Sequence, residues 1–333
     1  MSKTFIIAEA GVNHNGELSR ALQLCDAARE AGANAVKFQT WKTERIVTAS
    51  ARMAAYQKEN TAASDDSQYR MLKALELSYE DFRTIRDHCR EIGICFLSTP
   101  DEVESLRFLV ELGVPLIKVG SGEVTNIPYL RQIGATGKRV ILSTGMSTLD
   151  QVRLAYDTLL WAGAPEVALL HCTTNYPCPM EEVNLRAMLT LKESFGCEVG
   201  YSDHTMGIEV SVAAVALGAS IIEKHFTLDR NLPGPDHKAS IEPDEFAVMV
   251  RAIRHIETAL GDGIKRPNPS EQANAEVVQK AILAARPIRR GELLTEENLT
   301  VKRAGGGISP VRWDEVVGTE AHFDFDTDEA IRL

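Results

Sequence analysis

Gly200-Tyr201-Ser202-Asp203-His204-Thr205 and, further along, Glu223-Lys224-His225-Phe226 each follow a short apolar run and each set a histidine beside other polar side chains. A buried strand tolerates that combination only where it opens onto a site, so both segments read as strand ends meeting at a common rim. Two neutral imidazoles at adjacent strand ends suit a divalent ion of the borderline class, such as zinc, manganese or iron. Taken singly, either histidine is more often a satisfied core or surface residue; two in matching positions bring the two readings level. The rest of the chain has to decide.

Working outward, the same unit recurs. Phe5-Ile6-Ile7-Ala8 runs into the polar loop Glu9 to Gly16, and apolar positions at helical spacing from Ser19 to Ala31 end at Gly32. Ala35-Val36-Lys37-Phe38-Gln39 and Ile94-Cys95-Phe96-Leu97 with Ser98-Thr99-Pro100 repeat it. So do Leu116-Ile117-Lys118-Val119 with Gly120-Ser121-Gly122-Glu123, and Val140-Ile141-Leu142 with Ser143-Thr144-Gly145-Met146. Val167-Ala168-Leu169-Leu170 with His171 to Pro177 completes the series. Short buried strands alternating with amphipathic helices over the first part of the chain predict a closed parallel (β/α)8 TIM barrel. A doubly wound open sheet is the competing architecture, but no Gly-x-Gly-x-x-Gly follows the first strand. In a barrel the strand C-terminal ends share one rim. Glu9, Lys37, Gln39, Thr99, Lys118, Ser121, Glu123, Ser143, Tyr176, Ser202, His204 and His225 are expected to converge there.

Two segments depart from the repeat. A polar, alanine-rich insertion from Thr40 to Glu76 is too long for an idle connection and is expected to be a lid or a subunit contact. Beyond a last helix from Pro243 to Leu260, the Gly- and Pro-rich run Gly261 to Pro269 reads as an exposed linker. The expected domains are therefore a barrel over 1–262, a linker over 263–276 and a small β-rich module over 277–333.

Across 333 residues the chain is 44% hydrophobic and 25% charged, with a net charge of -11, which excludes nucleic acid or anionic lipid as its main partner. Any anionic ligand must be held by a local basic site. The start Met1 to Ile7 has no basic region, hydrophobic leader or cleavage site, and no run approaches membrane-spanning length, so the protein is expected to be cytoplasmic. Cys25, Cys89, Cys95, Cys172, Cys178 and Cys197 form no Cys-x-x-Cys pair and read as reduced, buried side chains.

Sorted by charge, Lys37 and Lys118 with the hydroxyls of Thr99, Ser121, Ser143 and Ser202 and the amides of Gly120-Ser121-Gly122 suit a phosphate or carboxylate. Each serine alone is more often a helix cap; their joint recurrence at strand ends is the signal. Glu9, Glu123 and Asp236 supply carboxylates for general base work or for a sugar hydroxyl. Alternatively Glu9 is a strut for Lys37, and Glu123 a helix-entry residue. From the residues alone, the chemistry is that of a metal-dependent lyase or transferase acting on a phosphorylated small acid.

The segments Ile7 to Gly16, Lys37 to Thr40, Lys118 to Glu123, Gly200 to Thr205 and Glu223 to Phe226 together resemble the sialic acid synthase family. The tail, with Arg289-Arg290-Gly291-Glu292 and Val301 to Ile308, looks like the antifreeze-like (SAF) module that follows the barrel there. That resemblance implies condensation of phosphoenolpyruvate with an open-chain N-acetylated hexosamine, releasing phosphate by carbon-oxygen cleavage. It implies that His204 and His225 hold a divalent metal, Mn2+ or else Mg2+ or Co2+, and that Lys37, Thr99, Lys118, Ser121, Ser143 and Ser202 bind phosphoenolpyruvate. Gln39, Tyr176 and Asp236 would position the sugar, and Glu9 with Glu123 would manage the water that adds to the pyruvyl carbon. Arg303 would reach the sugar's N-acetyl group in a partner subunit, implying a domain-swapped homodimer. One departure touches the site: some members contact phosphate through an Asn at the position of Thr174, whereas here Asn175 lies one residue later.

Asn231 to Ser240 and Gly307 to Glu315 look most like the bacterial synthases of N,N'-diacetyllegionaminic acid, whose acceptor is 2,4-diacetamido-2,4,6-trideoxymannose. N-acetylneuraminate synthesis from N-acetylmannosamine ranks second and pseudaminic acid synthesis third. A reading of another class, an inactive barrel whose tail module binds carbohydrate or ice, leaves the complete rim set without a purpose. A metal-dependent aldolase using free pyruvate would show a Schiff-base lysine or no phosphate site.

Overall fold

Residues 3–53, 55–61 and 66–333 are described by the structure, a computed structural model. Residues 54 and 62–65 of the insertion, and the first two residues of the chain's start, lie outside the described set. The chain divides into two compact units, Met1–Gly261 and Asp262–Leu333.

The first unit is a sheet of eight parallel strands: β1 (Phe5–Gly11), β2 (Ala35–Thr40), β3 (Cys95–Pro100), β4 (Leu116–Val119), β5 (Arg139–Ser143), β6 (Val167–His171), β7 (Val199–Asp203) and β8 (Ile221–His225). Hydrogen-bonded neighbours follow chain order from β4 to β8, β8 then pairs with β1, and β1 continues through β2 to β3. β3 and β4 lie side by side and close the ring. A helix follows each strand, from Leu18–Glu30 after β1 to Pro243–Ala259 after β8. This is the expected (β/α)8 arrangement, because each strand buries both faces and each helix only one.

Strand alternation separates two cores. Ile7, Ala35, Leu97, Leu116, Ile141, Ala168, Leu170 and Ile221 point into the barrel and pack on one another. Their neighbours along the strands, such as Ile6, Val36, Phe96, Ile117, Val140 and Ile222, point out and join the helix layer. At Gly200 an added Cβ would run into the backbone of Ile221 and the Leu170 side chain, so only glycine lets β7 and β8 approach there.

The insertion is folded where described. Helices Thr43–Ile46 and Gln68–Leu75 are tied together by Glu76, whose carboxylate accepts from the Thr43 amide at 3.0 Å, the Thr43 hydroxyl at 2.7 Å and Lys73 at 3.0 Å. Val12, Trp41, Met71 and Leu75 form a satellite cluster beneath it, with Ile46, Met53 and Leu72 packed on its edge.

The second unit is a small β module. β9 (Lys280–Ala284) and β10 (Leu299–Arg303) pair antiparallel over a core of Ile282, Ala284, Ile288, Leu294, Leu299, Val316, Ala321, Phe325 and Ile331. Part of the stretch read as a linker is helical: Pro269–Val278 starts at Asn268, which forms a capping box with Glu271. Among the described residues no helix is long and apolar enough to cross a membrane.

Candidate active site

Period-two alternation sends one residue in two at each strand end into the barrel mouth. From β1, β2, β3 and β4 come Glu9, Lys37, Gln39, Thr99 and Lys118; from β5, β7 and β8 come Ser143, Ser202, Glu223 and His225, with His204 just beyond β7. They enclose a cavity of about 180 Å³, joined at its edge by Ser121 and Tyr176 from the loops. Glu9, Lys37 and His225 are register partners on three adjacent strands, as are Ser202 and Glu223 on β7 and β8.

Two lysines and two glutamates share this buried space. Lys37 pairs with Glu9 and lies 3.9 Å from Glu223; Lys118 lies 3.3 Å from the other oxygen of Glu223. Lys37 also donates to Thr99 at 3.0 Å, Lys118 to Ser143 at 2.8 Å, and Ser202 to Glu223 at 3.1 Å. Burial alone would raise the pKa of Glu223, but Lys118 and Lys37 hold it down to about 2. Glu9 has gone the other way: burial, helped by repulsion from Glu223 and opposed by Lys37, pushes it up to about 7. Burial lowers Lys118, while Lys37 is raised because Glu223 and Glu9 outweigh its desolvation. Glu223 is thus a fixed anion between two cations, and Glu9 is a carboxyl poised to exchange a proton near neutrality.

Beside them lie Ser121, Gly145 and Thr174. Ser121 accepts from the Gly145 amide at 3.0 Å, and the Thr174 hydroxyl is buried there without a hydrogen-bond partner. A Cβ at Gly145 would collide with Thr174 and crowd Ser121 and Cys172. Asn175 does not line the cavity, so of the two neighbours it is Thr174 that faces it.

Opposite stand the two imidazoles, with ring centroids 5.4 Å apart and the Tyr176 ring 4.3 Å from His204. His204 donates from Nδ1 to the Thr173 carbonyl at 2.6 Å, which leaves the lone pair on Nε2, on the side of Ser202. His225 Nδ1 is buried with no hydrogen-bond partner and lies 3.9 Å from Asp236. Burial lowers both histidines, keeping them neutral and able to coordinate. Among the described residues no three of His, Cys, Asp and Glu converge as a ligand group. The donor set present is therefore two nitrogens, which fits a divalent ion whose remaining positions are left to water and substrate.

A second cavity of about 150 Å³ adjoins the first, sharing Gln39, Tyr176 and His225 with it and adding Asp236, whose carboxyl burial pushes up to about 6. One expected barrel residue, Glu123, lines neither cavity. Glu123 sits in a short 3-10 turn after β4, its carboxylate accepting from Asn126 at 2.6 Å, and Arg303 is an exposed residue ending β10 in the second unit. Sequence reasoning passed over Glu223, although it shares its strand face with His225 two residues on, and Asp101, a cavity-lining carboxyl that burial pushes up to about 7.

Residues 24–265 match the NeuB family and residues 279–333 match the SAF domain. The chain is 49% identical to the N,N'-diacetyllegionaminic acid synthase of Campylobacter jejuni, over 100% of both chains. It is 47% identical to the enzyme of the same name from Legionella pneumophila, over 95% of this chain and 89% of that one. The crystal structure of an N-acetylneuraminic acid synthetase from Leptospira borgpetersenii, in complex with citrate, superposes with a TM-score of 0.72 at 37% identity, covering 83% of this chain and 91% of that one.

Proposed function

We propose, on the premise that this chain belongs to the NeuB family, that it condenses phosphoenolpyruvate with 2,4-diacetamido-2,4,6-trideoxymannose and water to give N,N'-diacetyllegionaminate and phosphate. The observation that carries the reading is the enclosed pair Lys37 and Lys118 around Glu223, set directly against two neutral histidines. The two relatives named as legionaminic acid synthases support the choice of acceptor.

In this reading Lys37, Lys118, Thr99, Ser121, Ser143 and Ser202 hold the phosphate and carboxylate of phosphoenolpyruvate, and Thr174 adds a donor to the same pocket. Glu223 orients both lysines, which limits the excess of buried positive charge when no anion is bound. The methylene carbon of phosphoenolpyruvate forms a bond to the aldehyde carbon of the open-chain sugar, water adds to the pyruvyl carbon, and the bond from that carbon to the phosphate oxygen breaks. Glu9, near its midpoint at neutral pH, takes the proton of the incoming water. His204 and His225 would hold Mn2+ or a similar ion, which when bound supplies Lewis acidity to the aldehyde oxygen. Gln39, Tyr176 and Asp236 position the sugar chain. A homodimer in which Arg303 serves the partner's acceptor belongs to the same proposal.

The test is phosphate release from metal-stripped protein given phosphoenolpyruvate, Mn2+ and either that diacetamido sugar or N-acetylmannosamine, with products weighed by mass spectrometry. Metal-dependent release with the diacetamido sugar, lost in His225→Ala, is expected. Preference for N-acetylmannosamine moves the protein to neuraminate synthesis, and no release with either sugar sinks the synthase reading.

A further inference from the structure

The two adjoining cavities differ in their walls. The first is lined mainly by charged and polar side chains; the second has a polar edge at Gln39, Gln57, Tyr176, His225 and Asp236 and an apolar wall of Val12, Met71, Leu72, Leu75 and Pro235. Met71 and Leu75 belong to the helix Gln68–Leu75 of the insertion, and Val12 to the loop after β1. Beyond that wall a larger pocket of about 400 Å³ continues past Met71, Leu75 and Pro235 and carries Asn15, Thr61 and Arg70 on its other sides.

An open-chain acceptor has one end fixed by chemistry. Its aldehyde carbon must meet phosphoenolpyruvate where the cavities join, at Gln39 and His225, and its remaining carbons extend into the second cavity. Asp236 is there for a mid-chain hydroxyl. The terminal carbon reaches the apolar wall, where the side chains of Val12, Met71 and Leu75 themselves offer a hydroxyl no hydrogen-bond partner.

We propose that Val12, Met71 and Leu75 read the far end of the acceptor and select a 6-deoxy sugar, whose terminal methyl they bury, over one carrying a 6-hydroxyl. The inference rests on the synthase reading above and assigns its substrate selectivity to the insertion. A hydrophobic wall discriminates against an added hydroxyl by about 10- to 100-fold in kcat/KM.

The experiment compares 2-acetamido-2,6-dideoxymannose with N-acetylmannosamine, which differ only at C6, by phosphate release with full-length protein and Mn2+. Wild type is expected to favour the 6-deoxy sugar by about 10- to 100-fold. Met71→Gln, which places an amide in the wall, is expected to draw that ratio toward one, while Met71→Leu keeps it and the KM for phosphoenolpyruvate stays put in both. A wild-type ratio near one overturns the inference and leaves the synthase reading standing. Equal losses on both sugars in Met71→Gln overturn it as well, because a purely structural role lowers both alike. No release with any N-acetylhexosamine overturns the synthase reading and this inference with it.

Discussion

On the inner face of β7 and β8, Glu223 shares a buried space with Lys37, Lys118 and Ser202; one residue along, on the outer face, Asp203 and Lys224 pair at 2.9 Å. Both groups are buried ion clusters on the same two strands. The outer one is complete. Asp203 also accepts from the Thr205 amide at 2.9 Å, the Thr205 hydroxyl at 2.7 Å and Ser211 at 2.6 Å, and Lys224 donates a further bond to the Thr205 carbonyl at 2.8 Å. The inner one is not: Glu223 Oε2, His225 Nδ1 and the Thr174 hydroxyl lack hydrogen-bond partners, and Glu9 and Lys118 are displaced from their ordinary pKa values. A closed network stabilises the strands, whereas an open one keeps donors and acceptors ready for a ligand.

If that contrast holds, the largest effect comes from the outer pair. Lys224→Met strands the Asp203 carboxylate and is expected to cost about 3–5 kcal/mol of stability, read as a large drop in Tm. A Tm within a degree or two of wild type would erase the distinction between the two clusters. Next comes Lys118→Met, which removes a desolvated cation that Glu223 can spare because Lys37 remains. Turnover with phosphoenolpyruvate is expected to fall about 100- to 1,000-fold while Tm stays level or rises. Loss of stability comparable to that of Lys224→Met would mean that the inner group is structural too. The smallest effect, Thr174→Val, sharpens the picture. Removing one unpaired hydroxyl is expected to weaken phosphoenolpyruvate binding by about 1 kcal/mol, roughly five- to tenfold in KM, with acceptor KM unchanged. An unchanged KM for phosphoenolpyruvate would place the anion elsewhere.

The barrel was legible because apolar runs with polar ends are what a parallel strand buried on both faces must look like. The inward set could be read for the same reason: Lys37 with Gln39, and Ser202 with His204, sit two apart and share a face. Glu223 obeys the same rule and was visible in principle, but as an acidic residue in a buried strand it lacks meaning until the two lysines are seen around it. Glu123 shows the opposite failure. It lies past the end of β4, where alternation no longer predicts direction, and its neighbour Asn126 captures it. The insertion's short helices follow no long period, so the apolar wall formed by Met71 and Leu75 became visible only once tertiary contacts paired them with Val12. The capping box at Asn268 and Glu271 was a readable start signal, obscured by the prolines and glycines around it.

The crowding at Gly145 bears on how such chains diverge. Any side chain at 145 would occupy the space taken by Thr174 and press on Ser121 and Cys172. These positions come from three separate stretches of sequence, yet a change at one sets the size permitted at the others. Drift through this corner must proceed by paired substitutions, and a bulkier residue at 174 requires its neighbours to give way before it can be inherited.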